Sequence, residues 1–130
     1  MPLRTRNTWW GVVLDAPDGM ALAEFYARLL DWQVFPDPDG GGAAVAPSDE
    51  AGYNIACQTE PLYVRPVWPA VEGGPQMMLH LDLQVDELVD SVAFAVECGA
   101  ELAPHQPQEE VRVLLDPAGH PFCLYVNEGE

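Results

Sequence analysis

The chain has 130 residues, 48% of them apolar, the size and composition of a single folded domain rather than a disordered chain. It carries 21 Asp and Glu against 5 arginines and no lysine, a formal charge of −16; that field repels nucleic acid and anionic membrane and favours a neutral or cationic small molecule as partner. No apolar run approaches the roughly 20 residues that span a bilayer, no secretory apolar stretch follows Arg4 and Arg6, and Cys57, Cys98 and Cys123 lack the pairing of a disulfide framework or a zinc finger, so a cytoplasmic location is expected.

In chain order, "GVVLDAPDGMALAEFYARLLDWQV" (Gly11 to Val34) reads as a strand, an Asp18 N-cap, a helix and a further strand. Leu22, Phe25, Tyr26, Leu29 and Leu30 recur at i, i+3, i+4, i+7 and i+8, an apolar stripe that faces a core. Asp18 is placed to accept from the free N–H groups of the first turn, and Trp32 reads as core. "FPDPDGGG" (Phe35–Gly42) is too rich in Pro and Gly to be regular. Two short strands follow, Ala43–Pro47 and Tyr53–Glu60. The segment Pro61–Gln76 is again Pro- and Gly-rich and reads as a linker.

The pattern then begins again. "HLDLQVDELVDSVAFAVECGAEL" (His80 to Leu102) gives a strand, an Asp86 N-cap, a helix with the stripe Leu88, Val92, Ala95 and Val96, and a C-terminal Gly99. Removing Pro17 brings Asp18 onto Asp86, Met20 onto Leu88 and Leu30 onto Cys98. "VRVLL" (Val111–Leu115) is a β-branched strand, "DPAG" a type I turn, and "PFCLYV" (Pro121–Val126) the returning strand. The chain is therefore expected to be α+β: two βαβββ repeats, about residues 7–60 and 78–127 with a linker at 61–77, in one domain. The repeats are expected to form a curved mixed sheet, helices outside and a concave cleft within, suited to a small molecule.

With those segments in view, the sequence resembles the glyoxalase/bleomycin resistance/dioxygenase superfamily, the vicinal oxygen chelate proteins, and among them the small bacterial glyoxalase-like domains. The resemblance covers nearly the whole chain. It rests on "VLDAPDGMALAEFYARLLDW", "HLDLQVDELVDSVAFAVECGAEL" and "VRVLLDPAGHPFCLYV". It implies a homodimer. In metal-using members it implies four ligands, one from the first and one from the last strand of each half. Carried onto this chain, those positions are Gly11, Ala56 (with Gln58 two residues on), His80 and Cys123. Gly11 and Ala56 have no ligating atom, and Cys123 stands where a carboxylate is usual. A divalent metal, if bound, would use His80, Cys123 and Gln58; a zinc enzyme needs three protein ligands and an open position, and no catalytic metal or other cofactor is expected.

Strand alternation places His80 with Asp82 and Gln84 on the open face, and Trp9, Gly11 and Val13 likewise. Cys123, Tyr125, Ala56 and Gln58 join them from the last strands. The expected ligand-binding residues are thus His80, Cys123, Gln58, Trp9, Asp82, Tyr125 and Trp68. Trp9 is a platform for a flat or cationic ligand with Asp82 as counter-charge, or alternatively fills a sheet or dimer contact. Trp68 closes over the cleft or anchors its loop on the core. His105 and His120 read as solvated loop histidines. A Cys123–His80 nucleophile pair has no further support in the sequence. The expected function is binding of a small neutral or cationic organic molecule without a catalytic metal. The alternative is a metal-dependent lyase, isomerase or dioxygenase, with lactoylglutathione lyase-like or dioxygenase-like activity.

Overall fold

The structure, a computed structural model, describes residues 2–3 and 8–127; Arg4 and Arg6 lie outside them. Among the described residues no helix is long and apolar enough to cross a membrane. The contacts gather into two compact units, residues 1–63 and 64–130. The fold is α+β, and each unit is a βαβββ arrangement.

The first unit runs β1 (Trp10–Ala16), α1 (Gly19–Leu30), β2 (Gln33–Pro36), β3 (Gly42–Ala46) and β4 (Tyr53–Thr59). Its sheet has the order β1-β4-β3-β2, with β1 parallel to β4 and the other neighbours antiparallel. Period-two alternation divides the side chains between the two faces. Ala43, Val45, Ile55 and Cys57 are buried, and so are Leu22, Ala23, Phe25 and Tyr26 of α1, so the helix stripe and this sheet face make the core. Phe25 and Tyr26 meet edge to face with ring centroids 4.9 Å apart. α1 starts as the sequence suggests, with Asp18 Oδ1 accepting from the Ala21 N–H at 3.1 Å. It ends at Asp31, whose left-handed backbone (φ 57°) returns an N–H to the Ala27 carbonyl. Trp32 is half-buried rather than core; its ring stands edge-on to Tyr53 at 5.9 Å. The segment 35–42 is more regular than its composition suggests. Phe35 and Pro36 belong to β2 and Gly42 to β3, so only the tip of the hairpin is a loop. Pro36 is tolerated because β2 is an edge strand.

The second unit repeats the plan with β5 (Leu81–Gln84), α2 (Leu88–Cys98), β6 (Glu101–Leu102), β7 (Val111–Leu115) and β8 (Pro121–Tyr125), in the sheet order β5-β8-β7-β6. The parallel pair is now β5 with β8. The N-cap of α2 is Glu87, not Asp86: its carboxylate accepts from the Asp90 N–H at 2.7 Å. Asp18 and Glu87 stand at the same distance in sequence from Gly11 and His80, so the two halves align without removing Pro17. The one-residue difference is absorbed in the helix, 12 residues in α1 and 11 in α2. α2 covers its sheet less completely than α1 does. Ala95 is its one buried residue, and Val96, assigned to the stripe from sequence, is 46% exposed with Val89 and Phe94.

The "DPAGHPF" segment is bonded closely to itself. Asp116 is the buried charged residue of the described chain. Its Oδ1 accepts from the Ala118 and His120 N–H groups, each at 3.0 Å, and its Oδ2 lies 2.9 Å from His120 Nδ1. His120 is therefore not a solvated loop histidine; its side chain is 19% exposed and turned back onto the carboxylate. Gly119 has φ 95°, and a Cβ there would run into the Arg65 side chain, so the linker's arginine seals this turn. Asp116→Ala removes the acceptor for the buried Ala118 N–H, the part-buried His120 N–H and the His120 ring. It is expected to lower the unfolding free energy of the chain by about 3 kcal/mol or more, read from urea denaturation; a loss below about 1 kcal/mol would mean that water satisfies these donors.

Candidate functional site

On the face of the first sheet away from α1, the register aligns mostly small or apolar side chains in rows across the strands. Phe35, Ala44, Ala56 and Val13 form one row, and Gln33 and Ala46 begin the next. Against this face lies a cavity of about 260 Å³ lined by Trp9, Phe35, Ala44, Ala46, Asp49 and Asn54. Two aromatic rings and two alanine methyls make it apolar; Asp49 and Asn54 are its polar groups. No lining residue among the described ones is cationic. Trp9 is 43% exposed, so its ring is one wall of an open pocket and not a core residue.

Gly11 shapes this pocket. A Cβ at Gly11 would collide with Asn54 Oδ1 and would come within 2.6 Å of the Asn54 carbonyl. The residue opposite Asn54 in the parallel pair must therefore be glycine for the amide to take its place at the pocket. The space left by the missing side chain of Gly11 is thus taken by Asn54. Asn54, Phe35 and Asp49 escaped the sequence reading. Alternation along β4 was a usable signal for Asn54, since it shares the face of Ala56 and Gln58. Phe35 was hidden by the Pro/Gly-rich stretch that follows it.

The other residues singled out from sequence divide between the units. In the first, Gln58 donates from Nε2 to Asp15 Oδ1 at 2.7 Å, so its amide is engaged by its neighbour on β1. In the second, Asp82 joins His80 and Cys123. His80 Nε2 lies 3.1 Å from Asp82 Oδ1, Asp82 pairs with Cys123 in the β5–β8 register, and one ligating atom from each of the three falls within 4.8 Å of the others. Tyr125 lies on the same face of β8, beside Gln84. Trp68 is half-buried, with its ring 5.6 Å from that of His105, so within its own unit it anchors a loop on a histidine.

Among the described residues, those that fit a metal lie in the second unit. At the corresponding positions of the first, Gly11, Val13 and Ala56 offer no donor. In the second, the joining carboxylate is that of Asp82, a residue the sequence reading assigned to counter-charge and not to coordination; Gln58 is spent on Asp15. A bound zinc-type ion would be held by His80, Asp82 and Cys123 and would act as a Lewis acid toward a ligand oxygen. With no metal, burial and then the Asp82 carboxylate, by its charge and by accepting the thiol hydrogen, push the Cys123 thiol up to about 11 from an ordinary 9.0. It is therefore a neutral thiol near pH 7, which disfavours nucleophilic catalysis by a Cys123–His80 pair.

Set beside known proteins, the chain matches the family described as Glyoxalase-like domain over residues 11–125. It belongs to that family. Solved structures with the same fold include a glyoxalase/bleomycin resistance protein/dioxygenase family enzyme from Burkholderia phytofirmans, at 18% identity and TM-score 0.62, covering 89% of this chain and 95% of that one. A glyoxalase/bleomycin resistance protein from Albidiferax ferrireducens is 14% identical with TM-score 0.61, covering 92% and 98%. A glyoxalase family protein from Enterococcus faecalis is 19% identical with TM-score 0.57, covering 90% and 94%. No curated protein sequence matches the chain. At these identities the structural matches speak for the fold.

The raised Cys123 thiol has a measurable consequence. The folded chain keeps a proton that the unfolded chain releases above about pH 9, so this group's contribution to stability is full below about pH 9 and is lost as pH climbs toward about 11. Alkylation of metal-free protein, followed by peptide mass spectrometry, is expected to show Cys123 reacting with an apparent pKa of about 11 and Asp82→Asn lowering it. A profile at the ordinary thiol value would remove the Asp82–Cys123 contact.

Proposed function

We propose that this glyoxalase-like protein binds a small, flat, neutral or cationic organic molecule in the first-unit pocket, without using a metal to do so. The observation that carries the reading is the lining: Trp9 and Phe35 as rings, Ala44 and Ala46 as thin apolar floor, Asp49 as a carboxylate, and no cation among the described residues. The negative quadrupole face of an aromatic ring attracts a cation within about 6 Å, and a carboxylate at the rim adds to that attraction. The −16 charge of the chain raises the local concentration of cations and repels anions. The volume of about 260 Å³ lies just under the ~300 Å³ at which ordinary ligand pockets begin, so the ligand has one or two fused rings and is smaller than a typical drug. The Asn54 amide offers both a donor and an acceptor, which selects a ring carrying a carbonyl, amide or ring nitrogen.

The test uses matched probes. N-methylquinolinium is expected to raise the melting temperature by mass action, whereas naphthalene sulfonate, similar in shape and opposite in charge, is expected to leave it unchanged. Trp9→Ala is expected to weaken quinolinium binding about tenfold by calorimetry, corresponding to loss of one cation–π contact. Asp49→Asn is expected to weaken it less and to reduce its salt dependence. Equal binding of both probes, or binding unaffected by Trp9→Ala, would contradict the proposal.

A further inference from the structure

The register of the second unit brings three different donors to one face. His80 immediately precedes β5, Asp82 follows on the same side of that strand, and Cys123 is Asp82's partner on β8. Their imidazole nitrogen, carboxylate oxygen and thiol sulfur lie within 4.8 Å of one another, and this is the one such group of His, Cys, Asp and Glu among the described residues. Its membership is unexpected. The resemblance places metal ligands on both halves of the chain, and Gly11 and Ala56 rule out the first half. Asp82 is not one of those positions.

We infer that the second unit binds a zinc-type divalent ion through His80, Asp82 and Cys123, a site drawn from a single repeat. The donor set selects the ion. Nitrogen, oxygen and sulfur together suit zinc or cobalt, whereas calcium requires six or more oxygens and magnesium an octahedron of them. Bond lengths of about 2.0 to 2.3 Å place tetrahedral ligand atoms roughly 3.3 to 3.7 Å apart, so the widest separation here must close by about an ångström. His80 and Asp82 have side chains 39% and 58% exposed, and their rotamers are free to supply that movement. Binding displaces the Cys123 thiol proton to solvent, forming the metal–thiolate bond with no change in oxidation state. Three protein ligands leave a fourth position for water or an exogenous ligand.

Cobalt titration of the full chain, purified without a polyhistidine tag, tests this directly. One equivalent of Co²⁺ is expected to produce a thiolate-to-cobalt charge-transfer band in the near ultraviolet, discharged by one equivalent of Zn²⁺. Cys123→Ser is expected to abolish the band and Cys98→Ser to preserve it. His80→Ala and Asp82→Asn are each expected to weaken cobalt binding by at least ~10-fold, no less than the loss of an outer-sphere partner. Circular dichroism of each variant checks that it is folded. Absence of the band in folded wild-type protein, its persistence in Cys123→Ser, or undiminished affinity in both His80→Ala and Asp82→Asn would overturn the inference. Quinolinium binding is a separate readout, so either proposal can fail alone.

Discussion

The structure depends on one constraint: in each unit the strand that precedes the helix pairs in parallel with the last strand of the same unit. A parallel pair needs a long connection between its members, and here that connection holds a helix and two further strands. The helix shields one face of the resulting sheet, where Ile55 and Cys57 lie in the first unit and Phe122 and Leu124 in the second. Alternation then leaves the opposite face to whatever residues the sequence places there. The character of that open face is thus set by alternate residues of the strands and by the segments that flank them.

The duplication shows how far that freedom extends. Gly11, Val13 and Ala56 occupy the positions that His80, Asp82 and Cys123 occupy in the second unit, because β1 pairs with β4 in the same way that β5 pairs with β8. One set has no polar side chain; the other has three within reach of a single ion. The absence of a side chain at Gly11 has a consequence of its own, since Asn54 takes the space and turns its amide toward an aromatic-walled pocket. One backbone plan therefore carries an aromatic-walled apolar pocket in one repeat and a cluster of His80, Asp82 and Cys123 in the other. Loss of a family's usual ligands is, on this account, a gain of room.

Much of this was legible in the sequence because the strongest signals are local. The α1 stripe, the Asp18 cap and the strand Val111–Leu115 follow from periodicity and turn chemistry, and the repeat follows from their recurrence. Two kinds of feature were not legible. Residue type favours Asp86 as the cap, but the helix begins one residue later and it is Glu87 that accepts the Asp90 N–H. Groups that meet through tertiary structure were also hidden. His120 reads as a loop residue unless Asp116 is seen to turn under the chain. Asp82 reads as a counter-charge unless Cys123 is placed beside it. Phe35 and Asp49 reach the pocket from loop-rich segments that carry no periodic signal.

The central claim is that the open face of the first sheet is a recognition surface for small organic cations. Amide and indole resonances of ¹⁵N-labelled protein, titrated with N-methylquinolinium, test it most directly. The account predicts saturable shifts concentrated at the Trp9 indole, the Asn54 side-chain amide and the backbone of Ala44 and Ala46, with α1 unmoved. Shifts that do not saturate, or that avoid those four residues, would contradict it.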